Sequence, residues 1–279
     1  MKRPWTERME KLDRRYIFLF VAAAIFLPFI RPLGLPVSVT GPVRAFHDRI
    51  EALPENAVVL LTADWDPGSR AELLPMNVAV LHHLFSKPIR VIGMSLWPPG
   101  PRMLDECIEE VAGGYHKTYG RDYVNLGFKE GREVVMVALG ESFVQTFPTD
   151  FHHTPLHELP IMDGIDNYNG IDLIVTLSAG YPGTKEWVQQ VQKRFKKDMI
   201  SGCAGVSSPE YYPYFESGQL LGLVGGLKAC AEYEILLGKQ SRAVKAMDAQ
   251  ALGHYIIIFF IVLGNVLFLI NKFQAGRRS

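Results

Sequence analysis

Two stretches of the chain are almost free of polar side chains. Residues 16–30 read YIFLFVAAAIFLPFI without a charge, and residues 252–270 read LGHYIIIFFIVLGNVLFLI, interrupted only by His254 and Asn265. A helix needs about 20 apolar residues to cross the hydrocarbon core of a bilayer. The second stretch, taken as 251–271, therefore reads as a membrane-spanning helix. The first reaches that length over 16–35 when the helix continues past Pro28 and Arg31 extends its guanidinium to the interface. A secretory signal peptide shares the basic start and the short apolar run, but the segment after Ile30, RPLGLPVSVTGP, lacks a small-x-small cleavage pattern. An uncleaved anchor is the expectation.

Between these segments, over 36–250, short β-rich apolar runs alternate with helical spacing, the pattern of a parallel sheet covered by helices. The runs at 57–62 (AVVLLT), 89–95 (IRVIGMS), 133–139 (EVVMVAL), 172–177 (DLIVTL) and 200–206 read as strands. Helices are expected over 72–85, where Leu73, Met76, Val80 and Leu84 share a face, and over 102–117, 185–197 and 218–237. The expected fold is Rossmann-like, a mostly parallel sheet of about five strands with helices on both faces. Segment 147–170 is rich in Pro, Asp, His and Gly and long for a connection, which marks it as a functional loop or contact surface. Residues 32–42 look like a linker, and 239–250 extend the last domain helix toward the second apolar segment.

Charge adds orientation. The 29 acidic and 29 basic residues balance, so nothing in the composition points to nucleic acid. Lys2, Arg3, Arg8, Lys11, Arg14 and Arg15 precede the first apolar run, and Lys272, Arg277 and Arg278 follow the second. The positive-inside rule then puts tails 1–15 and 272–279 in the cytoplasm and the central domain outside, as a two-pass protein of the cell membrane. Arg31, Lys239, Arg242 and Lys245 sit on the opposite flanks and weigh against this orientation. Cys107, Cys203 and Cys230 cannot form a complete disulfide framework, being three; they allow either one pair with one free thiol or, as expected in a domain of this size, three small buried hydrophobes.

Ligands of an open parallel sheet collect at the carboxyl ends of its strands. There the expected strands deliver Asp64 and Asp66, Ser95 and Trp97, Glu141 and Ser142, and Ser178. Three carboxylates on one rim could hold a divalent metal ion or share acid–base work. The alternative is that Asp64, Asp66 and Ser69 are turn and cap residues, since Asp-Pro-Gly-Ser is turn chemistry ahead of a helix. An aspartate pair one residue apart after a buried strand resembles the first motif of the haloacid-dehalogenase phosphohydrolases. The resemblance implies a nucleophile at Asp64, an acid–base at Asp66 and a second-motif serine at Ser178. Glu141 stands where that family has aspartates, and no flap insertion follows the strand.

Asp150, His152, His153, His157, Glu158 and Asp163 in the 147–170 loop are all ligand types for a transition metal, and His153 and His157 would share a face if the loop were helical. No glycine-rich dinucleotide loop, Walker loop or nucleophile elbow is present. The aromatic run Tyr211, Tyr212, Pro213, Tyr214, Phe215 suits a binding surface or a turn over the core in equal measure. In the helix expected over 218–237, Gly218, Gly222, Gly225, Gly226 and Ala229 fall on one narrow face, suited to close approach of a neighbouring helix or a second subunit. The sequence thus reads as a membrane-anchored binding or assembly module without a cofactor, a non-catalytic part of a larger membrane complex. Its partners would be the bilayer and a membrane protein or another copy of itself. The alternative is a tethered metal-dependent hydrolase acting through Asp64, Asp66 and Glu141 or through the histidine loop.

Overall fold

The computed structural model describes residues 13–31, 33–34, 38–239 and 241–276. The expected tails fall largely outside them, including Lys2, Arg3, Arg8, Lys11, Arg277 and Arg278. The chain divides into a terminal unit, Met1–Pro36 with Val244–Ser279, and a central unit, Val37–Ala243.

In the terminal unit, helix α1 (Arg14–Ile30) is capped by the Asp13 carboxylate, which accepts from the Arg15 amide. It ends at Arg31 and does not continue to residue 35 as the hydropathy suggested. Seventeen residues at the helical rise make about 25 Å, short of a hydrocarbon core of about 30 Å. The last helix of the chain (Arg242–Gly276) is the one helix among the described residues long and apolar enough to cross a membrane, over Arg242–Phe273. Phe20 lies against Phe260, Ile25 faces Gly253, and the amides of Leu33 and Gly34 donate to Asp248. Rising numbers on one segment meet falling numbers on the other, so the two helices run antiparallel. Large apolar side chains such as Phe18, Phe26, Phe259 and Ile261 point outward from the pair.

The central unit begins with α2 (Gly41–Glu51), followed by β1 (Val58–Asp64), α3 (Arg70–Phe85), β2 (Arg90–Ser95), α4 (Gly100–Ala112) and β3 (Tyr123–Phe128). Next come two short helices, α5 (Glu133–Ala138) and α6 (Phe143–Thr146), then β4 (Leu173–Ser178). Helix α7 (Thr184–Trp187) runs through a π turn (Val188–Gln192) into α8 (Lys193–Phe195), ahead of β5 (Met199–Cys203). Helix α9 (Ser208–Glu216), β6 (Leu223–Gly225) and α10 (Gly226–Leu236) complete the unit. The long terminal helix is α11. All six strands are parallel, in the order β3-β2-β1-β4-β5-β6. Every residue of β1, β4 and β5 is buried, as helices on both faces require. The fold is the Rossmann-like parallel α/β sheet that the alternation implied.

Three expectations about elements change. The run 133–139 is helix α5, with Val135 and Met136 inward and Val134 exposed. A short continuous apolar run does not distinguish a strand from a helical turn. The true third strand, β3, was hidden because YVNLGF carries an asparagine and a glycine. Inside it the Asn125 amide donates to the Pro101 carbonyl, so a buried polar group is satisfied where apolar side chains were expected.

Segment 218–237 is not one helix. Gly218 turns the chain at positive φ, Gly222 precedes β6, and α10 starts only at Gly226. The expected glycine face is therefore distributed. Gly222 lies against the backbone of Phe46 on α2, Gly225 against Ser208, Gly226 against Gly205, while Gly218 borders open space and Ala229 is half-buried on α10. Close approach is real at Gly222, but its partner is α2 of the same chain. Helix α10 carries Glu232 into the interior, where it accepts from the amide and hydroxyl of Thr40 and from Lys228. It closes on Gly238, with the Lys239 amide reaching the Glu234 carbonyl and the Gly238 amide the Ile235 carbonyl. All three cysteines are buried free thiols, the second of the two arrangements that the sequence left open.

A Cβ at Gly222 would fall on the Phe46 main chain, which cannot swing aside as a side chain can. Gly222→Ala is expected to lower stability by about 1–3 kcal/mol in denaturant titration. Gly113→Ala, where a Cβ meets nothing within 4 Å, is the control and is expected to be neutral or slightly stabilising.

Candidate functional site

Strand order reverses between β1 and β4, and open sheets of this kind receive ligands in the crevice outside the carboxyl ends at such a point. The last residues of the two strands, Asp64 and Ser178, are register partners. The sequence placed both on this rim, and the structure brings them together. Neither faces the crevice. Asp64 has no exposed surface, and its carboxylate accepts from the Leu96 amide at 2.7 Å, the Trp187 indole at 3.1 Å and the Ser95 hydroxyl at 3.3 Å. Burial pushes its pKa up to about 6, with those donors pulling the other way. The Ser178 hydroxyl pairs with Thr184 at 2.9 Å, and Thr184 with Ser201 at 2.7 Å. These side chains tie β1 to the turn after β2 and to α7. They lie beneath the floor of the crevice.

Its walls come from the loops after β2, β3 and β4. Leu96, Trp97, Phe128, Arg132, Tyr181 and Pro182 border a cavity of about 220 Å³. The Trp97 indole donates to the Pro182 carbonyl at 2.9 Å, which pins two of these loops together. Arg132 lies 5.1 Å from the centre of the Tyr181 ring, and the Tyr181 hydroxyl donates to Glu133 at 2.7 Å. Arg132 holds φ 49° and ψ −118°, an unfavourable conformation for a residue with a side chain, of a kind concentrated at binding sites. Trp97 was on the rim by sequence. Arg132 and Phe128 were missed because the third strand was assigned to the wrong run.

The remaining rim residues disperse. Asp66 caps the turn Pro67–Ser69, accepting from the Ser69 amide, as Asp-Pro-Gly-Ser foretold. Glu141 is exposed in the turn after α5, because 133–139 is a helix and ends at no sheet edge. Ser142 caps α6 and donates to Asp166 at 2.7 Å. Likeness to the phosphohydrolase motif therefore stops at residue types. Its nucleophile would be Asp64, whose two oxygens are both occupied below the floor.

The histidine loop does not gather its ligand types. Asp150 is buried, accepting from the Tyr119 hydroxyl at 2.6 Å and the Thr154 amide at 2.7 Å, which makes it a loop staple. His152 pairs with Asp105 at 3.4 Å, His153 sits at φ 67°, and His157 is on a separate short turn, 71% exposed. Asp150, Phe151 and His153 do border a second cavity of about 340 Å³ beside the end of β3. Of the aromatic run, Tyr211 enters the core and Tyr212 is exposed. Among the described residues, the ligand atoms that gather within 4.8 Å of one another are those of His47, Glu51 and His83, which were not singled out by sequence. The signal was present as His47 and Glu51 four apart on α2, but the fold alone brings His83 to them.

No protein family matches this chain, and no characterised protein matches it by sequence. Among solved structures it is similar to the trehalose-6-phosphate synthase OtsA, at 12% identity and a TM-score of 0.32, over 82% of this chain and 47% of that one. A second structure, of a trehalose-6-phosphate synthase analysed with bisubstrate glycomimetics, gives 13% identity and a TM-score of 0.34, over 82% and 51%. The chain spans about half the length of these proteins, and a likeness of that extent carries no activity across.

Asp64 makes stability pH-dependent. Its folded pKa of about 6 lies above the ordinary 3.8, so its contribution is complete below 3.8 and is lost as pH rises through about 6. Chemical denaturation of the wild type and Asp64→Asn over this range is expected to show the wild type losing roughly 2 kcal/mol relative to the variant between pH 4 and pH 7. A difference that grows in the opposite direction would contradict the buried-carboxylate account.

Proposed function

We propose that this protein is a membrane-anchored, extracytoplasmic binding module whose α/β domain takes a small ligand in the crevice at the switch point. The observation that carries the reading is the division of labour there. Asp64 and Ser178 are consumed by internal hydrogen bonds, while the groups that face the crevice are Trp97, Phe128, Tyr181 and Arg132. Flat apolar faces with one guanidinium suit a planar organic anion, which stacks on the aromatics and pairs with Arg132. The alternative of a metal-dependent hydrolase draws no support from a rim that lacks Glu141 and buries Asp64.

Anchoring in this reading rests on α11, with α1 as its antiparallel neighbour. Their outward apolar side chains have lipid as their natural surroundings. Antiparallel pairing of α1 and α11 supports a reading with both ends on one side, in keeping with basic clusters at both ends of the chain. Partners in a larger membrane complex are part of the proposal.

Two experiments test it. A thermal-shift screen of the detergent-purified protein against aromatic carboxylates and aryl phosphates is expected to yield stabilising compounds. Trp97→Ala and Arg132→Ala should each abolish that stabilisation while leaving the ligand-free melting temperature within a few degrees. Shifts that persist in both variants would move the binding site elsewhere. A phosphatase reporter joined after Gly170 should be active outside the cytoplasm and one joined after Ser279 silent, and the reverse pattern would invert the topology.

A further inference from the structure

Helices α2 and α3 both end where the chain enters β1 and β2, at the edge of the sheet opposite the crevice. His47 and Glu51 stand one helical turn apart on α2, and His83 lies in the last turn of α3. The rings of His47 and His83 stack with centres 4.9 Å apart. We propose that His47, Glu51 and His83 form a binding site for a transition-metal dication of the zinc class, separate from the crevice and independent of its ligand.

Three features of the geometry support the assignment. Two imidazoles and one carboxylate are a donor set that zinc favours in sites with an open position. Their ligand atoms lie within 4.8 Å of one another, and an ion about 2.1 Å from each needs donors about 3.3 Å apart, a closure that side-chain rotation supplies.

The outer nitrogens of both rings already have partners. His47 Nδ1 is 3.0 Å from the Asp48 carboxylate, and His83 Nδ1 is 2.7 Å from the buried Tyr233 hydroxyl. Such contacts orient ligating histidines and leave each Nε2 for the ion. The tyrosine hydroxyl can donate or accept, so it follows His83 when its proton moves from Nε2 to Nδ1 on binding.

Finally, His83 is buried at the end of α3, its ring held between Glu51 at 2.9 Å and the Tyr233 hydroxyl at 2.7 Å. The triad also opens on a cavity of about 200 Å³ that His82, Tyr115 and Lys239 help to line, which leaves room for water on the ion.

Without an ion, Glu51 accepts from His83 at 2.9 Å and from Lys87 at 3.3 Å. Lys87 is the cation that a metal would displace. This separates the proposal from a purely structural network, in which Lys87 would only support the fold.

The test is titration of the full chain in detergent, stripped with chelator, using Co²⁺ as a visible probe and Zn²⁺ as competitor. Expected are one Co²⁺ per chain with ligand-field bands, displacement by Zn²⁺, and a higher melting temperature with metal. His47→Ala and Glu51→Gln, both at least partly exposed positions, should each weaken binding by about 100-fold or more. Tyr233→Phe should weaken it about 10-fold. Lys87→Met should tighten binding, whereas His153→Ala with His157→Ala should leave it unchanged. Absence of Co²⁺ binding by the wild type, or binding that survives in both His47→Ala and Glu51→Gln, would overturn the proposal. Because these variants lie outside the crevice, their failure leaves the ligand-binding reading untouched.

Discussion

Burial of a parallel sheet on both faces is the constraint on which the central unit depends. Each strand must return through a covering helix, so the side chains available for chemistry are pushed to the two edges where strands begin and end. At the carboxyl edge the order of strands reverses and their connections part, which leaves a crevice. Asp64 sits under this opening. Its three donors are Ser95 at the end of β2, Leu96 just beyond it and Trp187 on α7, so the carboxylate ties α7 to strand ends with which it shares no ladder hydrogen bonds. A raised pKa is the cost of using a buried acid for that purpose.

The same constraint explains what happens at the amino edge. Helix α2 precedes the sheet and covers it near β5 and β6, with Gly222 allowing its backbone to come close. Glu232 on α10 holds the residue that caps α2, and Tyr233 on the same helix holds His83. One helix thus fixes both the start of α2 and the ring its last turns meet. Packing, salt bridging and imidazole orientation at this edge follow from the docking of α10, and a candidate metal centre is the chemical result.

Much of the fold was legible in the chain because its strongest signals are local. Four of the six strands announce themselves as apolar runs bounded by turn residues, and both ends declare themselves by hydropathy. Asp66 reads as a cap because capping depends on residues three apart. Where the signal was local but ambiguous, the reading went astray. EVVMVAL has the composition of a strand and the structure of a helix, since an apolar run carries no period when it is short, while the strand YVNLGF was hidden by its asparagine and glycine.

Sequence by itself determined the alternation of strands and helices, the apolar ends and the presence of Asp64 and Ser178 at one rim, because each depends on neighbours along the chain. Tertiary structure alone decided that Asp64 faces inward to Leu96 and Trp187, that Glu141 never reaches the rim, and that Arg132 meets Tyr181 across the crevice. It likewise decided that His83 joins His47 and Glu51. Those contacts pair residues far apart in sequence, and which of them form is set by how helices pack on the sheet. No local pattern records that choice, because a histidine on a helix face looks the same whether it meets solvent or another histidine.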